Sequence, residues 1–195
     1  MKKFKIIKTS IAIILLLGLF SSIYMITRDN KPEMTTQSQL SQKAAEARIF
    51  CEQNNLNTDF CILVDMRIHS GKHRFFVWDF KQDSITTQAL CAHGCGKDEQ
   101  KSTGAQPLFS NVNGSLLTSL GKYKIGKRAA SQYGINIHYK LHGLEPTNNN
   151  AYERIIVLHS FTPVPSKEIH PLHLPMGFSQ GCPVIDNETM RYLDK

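Results

Sequence analysis

The segment Phe178-Ser179-Gln180-Gly181-Cys182-Pro183-Val184 and the upstream run Val157-Leu158-His159-Ser160 hold the residue types needed for thiol chemistry. A cysteine preceded by Gly and Ser can present its sulfur with its backbone amide free. A histidine at a strand end can offer its ring to a cysteine on a neighbouring loop. A free thiol, pKa about 8.5, is mostly protonated at neutral pH; an adjacent imidazole lowers that value and stores the proton. The Gly181 and Cys182 amides could donate to a developing oxyanion, and glycine permits the turn that aims both at one spot. The competing readings are half of a disulfide for Cys182 and a surface side chain for His159. Arg154 either pairs with a buried carboxylate or binds a substrate carboxylate bidentately.

The remaining cysteines, Cys51, Cys61, Cys91 and Cys95, allow three pairings. Cys51–Cys61 with Cys91–Cys95 is the most local, and reduced buried thiols are the alternative. Cys91-Ala92-His93-Gly94-Cys95 gathers three zinc-ligand types, but no fourth ligand and no usual zinc spacing accompany it. No metal and no cofactor are therefore expected. His138 and His142 share one strand face and are expected to face solvent.

Apolar periodicity supplies the elements that must hold these groups. Leu40, Ala44, Ala47 and Cys51 recur at helical spacing, which predicts a helix from Ser38 or Ser41 to about Asn54. Phe60–Met66, His73–Phe80 and Ser84–Cys91 read as strands. In the second, Phe76, Trp78 and Phe80 fall on one face and Phe75 and Val77 on the other, so both sides should be covered. Residues 92–134, rich in Gly, Ser and Asn, read as loops with short strands. Residues 135–142 alternate, with Ile135, Ile137, Tyr139 and Leu141 on one face. Arg154–His159 reads as a continuous strand, and Asp186-Asn187-Glu188 should cap a last short helix. The expectation is a mostly β domain over 39–195, preceded by a polar linker over 28–38.

The formal net charge of +7 is unevenly placed. Lys2, Lys3, Lys5 and Lys8 precede an uncharged run over 9–27. As a helix that run is ~28 Å long, about the thickness of a bilayer's hydrocarbon. Residues 1–27 therefore read as a transmembrane signal anchor, with the lysines in the cytoplasm and the domain in the cell envelope outside it. The end of the run lacks the small-residue pair of a cleavage site. Four of the seven excess charges precede the run, which leaves +3 for the rest. No Lys/Arg cluster there resembles a nucleic-acid footprint, so no nucleic-acid partner is expected.

His159 followed by Ser179-Gln180-Gly181-Cys182 resembles the signature of the L,D-transpeptidase (YkuD-like) family, a histidine and then [S/T]-x-G-C. The "murein L,D-transpeptidase catalytic domain" branch is similar over about residues 60–190, through His93-Gly94, Phe109-Ser110-Asn111, Ser119-Leu120-Gly121 with Tyr123, Gly143-Leu144-Glu145, Asn150-Ala151 and Arg154–His159. The resemblance implies a mixed, β-rich fold acting on peptidoglycan stem peptides. It implies Cys182 as nucleophile, His159 as its base and the Ser160 carbonyl as orienter of the ring. It also implies Gly181 and Cys182 amides as the oxyanion hole, Ser179 as support for the loop, and His93 in the substrate cleft. The sequence departs from the commoner pattern at Gln180, where a histidine is usual, and at Pro183-Val184, where an Arg or Asn soon follows the cysteine. Family members usually continue past the last helix into another strand; the sequence stops at Lys195, so either that strand is dispensable or the sequence is truncated. The competing functional readings are an inactive wall-binding module of the same fold and another exported thiol peptidase.

Overall fold

The computed structural model describes residues 36–97 and 101–195. The expected anchor over 1–27 and most of the polar linker lie outside these residues. Among the described residues no helix is long and apolar enough to cross a membrane. Leu40–Lys195 forms one compact unit.

A helix, α1 (Thr36–Gln53), leads into an antiparallel sheet of β1 (Phe60–Val64), β2 (Phe75–Asp79) and β3 (Ser84–Ala89), in the order β1-β2-β3. The alternation of β2 explains how this sheet is covered. Phe76, Trp78 and Phe80 pack against Leu40 and Ala44 of α1, with Ala47 and Cys51 beside them. Phe75 and Val77 point the other way, into the main core. Side chains of opposite strand parity thus belong to two different clusters, as a strand buried on both faces requires.

The second sheet is mixed. β4 (Tyr123–Ala130), β5 (Ile137–Gly143) and β6 (Val157–Ser160) run antiparallel, and the two-residue β7 (Val184–Ile185) lies parallel to β6. Ile137 and Leu141 of β5 meet Phe75, Val77, Leu158, Ile185 and Met190 in the main core between the sheets. Val184 also bridges to Ala92, just past β3, so β7 ties the second sheet to the end of the first. A closing helix, α2 (Asn187–Leu193), starts at Asp186, whose carboxylate accepts from Glu188 N and Thr189 N. This is the expected cap, and it satisfies amides that helical bonding leaves free.

Several expectations are corrected. The region read as loops with short strands contains one longer strand, β4, eight residues long and mostly exposed on both faces, with a register shift between Ile125 and Arg128. The strand expected from Arg154 begins only at Val157, because Ile155 takes a left-handed φ of 58° and Ile156 N turns back to Ala151 O. Asn136, at φ 63°, likewise delays β5 to Ile137. His138 and His142 are half-buried rather than solvent-facing; the His142 ring stacks on Tyr152 at 4.8 Å.

The long loop between β6 and Cys182 is fastened at its base. Ile169 N and His170 N both donate to Gly71 O, and Ser70 Oγ meets His173 Nδ1 at 2.9 Å while accepting from Leu174 N at 3.2 Å. A Cβ at Gly71 would collide with Leu172 O, so glycine is needed for this approach. Val164 and Leu174 fill a third cluster with Leu90, Ala92 and Val184, and Cys182 packs against its edge.

Candidate active site

β6 and β7 bring the two expected reactive groups to one cleft. The parallel register pairs His159 with Val184. Two residues back along both chains, Val157 N donates to Cys182 Sγ at 3.4 Å, and Sγ in turn donates to Ile155 O at 3.8 Å. Cys182, half-buried, and His159 both line a cleft of about 630 Å³, with Tyr133, Arg154, Ile155 and Phe161 among its walls.

His159 is buried, and its Nδ1 lies 3.0 Å from Ser160 O. A carbonyl only accepts, so Nδ1 carries the hydrogen and Nε2 keeps its lone pair. Ser160 is itself fixed: it is fully buried, and its Oγ accepts from Ile135 N at 3.1 Å. Burial lowers the His159 pKa, the Ser160 bond opposes that, and the His138 ring lowers it further. Burial also raises the Cys182 thiol, against the Val157 N–H and the charges of Arg154 and Lys140, which lower it. The resting cleft therefore holds a protonated thiol and a neutral imidazole.

The loop before the cysteine closes on Ser179. Its Oγ donates to Cys182 O at 2.6 Å and accepts from Gly181 N at 3.0 Å, while its carbonyl accepts from Cys95 N at 3.1 Å. This alters the expected oxyanion hole. The Gly181 amide is turned inward to the Ser179 hydroxyl, which leaves Cys182 N as the remaining backbone donor of that pair. Gly181 instead serves the turn. Its φ is +124°, and a Cβ there would meet Ile156 Cδ1 at 2.9 Å and Leu117 O at 3.0 Å. Gly181→Ala is expected to cost about 1–3 kcal/mol of stability, readable by urea denaturation, and to lower turnover by displacing Cys182.

The two residues expected to contact substrate do something else. His93 is 4% exposed and does not line the cleft. Its Nδ1 accepts from Arg74 Nη2 at 2.8 Å, so its Nε2–H donates to Thr103 O at 3.3 Å. Burial first, then the Arg74 charge, pushes its pKa down to about 4. With both ring nitrogens engaged, the zinc reading of Cys91–Cys95 loses its histidine. Cys91 is buried in the core and its thiol is pushed up to about 11. Among the described residues no group of three metal-ligating side chains is arranged to hold an ion. All five cysteines are free thiols. Arg154 does line the cleft, but neither expected carboxylate partner explains it. Nη1 donates to Ser110 O and Ser119 Oγ, and Nη2 to Ser115 Oγ and Leu117 O. All four Nη hydrogens are used, so no bidentate clamp is left for a ligand.

Sequence reasoning missed the aromatic wall beside the histidine. Tyr133 lies 5.6 Å from the His159 ring and 5.9 Å from Phe161, which in turn packs edge-on to Phe178 at 5.3 Å. These residues come from three separate segments, and no local spacing marks them as one surface.

A family model described as L,D-transpeptidase catalytic domain matches residues 32–195. The chain matches no curated protein and no solved structure.

Proposed function

The chain belongs to the L,D-transpeptidase catalytic domain family, and from that premise we propose that it is a cysteine acyltransferase acting on peptidoglycan stem peptides. The observation that carries this reading is the cleft shared by Cys182 and His159, with the His159 tautomer held by Ser160 O. Cys182 Sγ attacks the carbonyl carbon of an amide joining an L-centre to a terminal D-amino acid, and its proton passes to His159 Nε2. The tetrahedral intermediate, whose oxyanion faces Cys182 N, collapses as His159 returns the proton to the leaving amine. The products of this half are a thioester and a free D-amino acid. An amine of another stem, or water, then attacks the thioester with His159 again accepting the proton. Transfer to an amine makes a cross-link, and transfer to water makes the protein an L,D-carboxypeptidase.

The neutral imidazole suits the base role. The lysine-flanked apolar run over 9–27 supports attachment to the membrane with this domain outside the cytoplasm, where its substrate lies. Incubation of the purified domain with defined disaccharide-tetrapeptides, followed by mass spectrometry, tests the reading. Release of the terminal D-amino acid, with a cross-linked dimer or a tripeptide as co-product, is expected. Cleavage at any other bond of the stem, or none, would sink it.

A further inference from the structure

Arg154 is a half-buried cation with no carboxylate among its hydrogen-bond partners. Its guanidinium is held entirely by neutral acceptors: the carbonyls of Ser110 and Leu117 and the hydroxyls of Ser115 and Ser119. Those partners lie 35–44 residues upstream, so one side chain pins a whole loop as a wall of the cleft. Neighbouring contacts tighten the same loop. Ser119 Oγ donates to Ser110 O at 3.2 Å, Tyr123 Oη donates to Ser119 O at 2.8 Å, and Asn150 Nδ2 donates to Asn111 O at 3.0 Å. The other end of the argument lies at the nucleophile. Nη2 sits 3.5 Å from where a Gly181 Cβ would stand, so the guanidinium packs against the residue preceding Cys182.

A positive charge partly withdrawn from water is stabilised when something negative forms near it. Neutral acceptors hold the guanidinium in place without cancelling its charge. We propose that Arg154 is a positioning residue that fixes the 110–119 loop and keeps an unneutralised positive charge beside Cys182, favouring the thiolate that forms during attack. The inference rests on Cys182 being the nucleophile of the proposed reaction. The charged and titratable groups around the thiol are Arg154 and Glu153 before β6, His159 on β6, Lys140 on β5, Tyr123 on β4 and Tyr133 between β4 and β5. Of the two cations, Arg154 lowers the thiol more than Lys140 does.

The test measures the rate of Cys182 alkylation by iodoacetamide against pH, following intact mass, in the full domain and its variants. Arg154→Gln removes the charge and keeps an amide donor for the loop. Its alkylation midpoint should rise by about one pH unit or more. Arg154→Lys keeps the charge with three donors for four acceptors. Its midpoint should stay within about half a unit of the parent, while its Tm falls. A natively folded Arg154→Gln with an unchanged midpoint overturns the proposal. Should that variant not fold, Arg154→Lys carries the test alone, and a rise of about one unit there overturns it. Alkylation needs no wall peptide. A failure of the acyltransferase reading therefore shows in product analysis, and a failure of this inference shows in the midpoint.

Discussion

Replacing Cys182 with alanine is expected to reduce D-amino acid release on the order of 10⁴-fold or more, to the background of the assay. Among the residues that line the cleft Cys182 alone carries a thiol, and a thioester needs one. Cys61 and Cys91 are poor substitutes, since burial pushes their thiols up to about 12 and about 11 and both sit in apolar clusters. Cys182→Ser should be almost as inactive, because a hydroxyl is far harder to deprotonate and the neutral imidazole is too weak a base for it in the ground state. Both variants should melt within a few degrees of the parent, since Sγ makes only two long hydrogen bonds. The readout is single-turnover release of D-alanine from a defined tetrapeptide, with circular dichroism as the folding control. Release that persists in Cys182→Ala would overturn thioester chemistry.

The same comparison fixes the sense of the pH dependence. The His159 pKa is lowered, so the imidazole stays neutral until the pH falls below its ordinary value. The Cys182 thiol is raised, so the thiolate becomes populated only in the alkaline range. Activity that rises from acid to neutral pH reports loss of the His159 proton, not ionisation of the thiol.

What the sequence reveals and what it hides follow from the range of the interactions. The two-sided burial of β2 was legible because Phe75 through Phe80 alternate within one strand. So was the cap at Asp186, because its two acceptor contacts lie within three residues. That Cys182 and His159 share one cleft was legible because they sit in two short segments with recognisable neighbours. Arg154 was singled out, but its partners were not legible. Two of the four acceptors are backbone carbonyls, which carry no residue signature, and all four come from a distant loop. Gly181 shows the converse. Its need for a turn was readable from residue type, but the capture of its amide by Ser179 Oγ depends on a conformation that composition does not encode. The start of β6 was misread because the apolar run Ile155-Ile156-Val157-Leu158 matches a strand. The turns that hold Asn148 through Ile156 override that preference through local hydrogen bonds.

Arg74→Met is expected to lower stability by about 3 kcal/mol at pH 7.5. Arg74 is 1% exposed, and its guanidinium donates twice to Cys91 O, once to Ile68 O at 3.4 Å and once to His93 Nδ1. Methionine leaves those acceptors buried without donors, each costing about 1–3 kcal/mol, and relief of the buried cation offsets part of the sum. The loss should shrink in acid, and the sign follows from His93. Its folded pKa is about 4 against an ordinary value of 6.5, so between those limits the unfolded chain binds a proton that the folded protein refuses. The parent therefore loses stability as the pH falls through that window, by about 3 kcal/mol in all. Burial is the larger cause of the depression and survives the substitution; the Arg74 charge is the second cause and is removed. With it gone, a protonated His93 costs less in the fold, and the pH slope of the variant flattens. Urea denaturation of parent and variant at pH 7.5 and pH 5 measures both effects. An identical difference at the two pH values would show that Arg74 does not hold His93 in its neutral form.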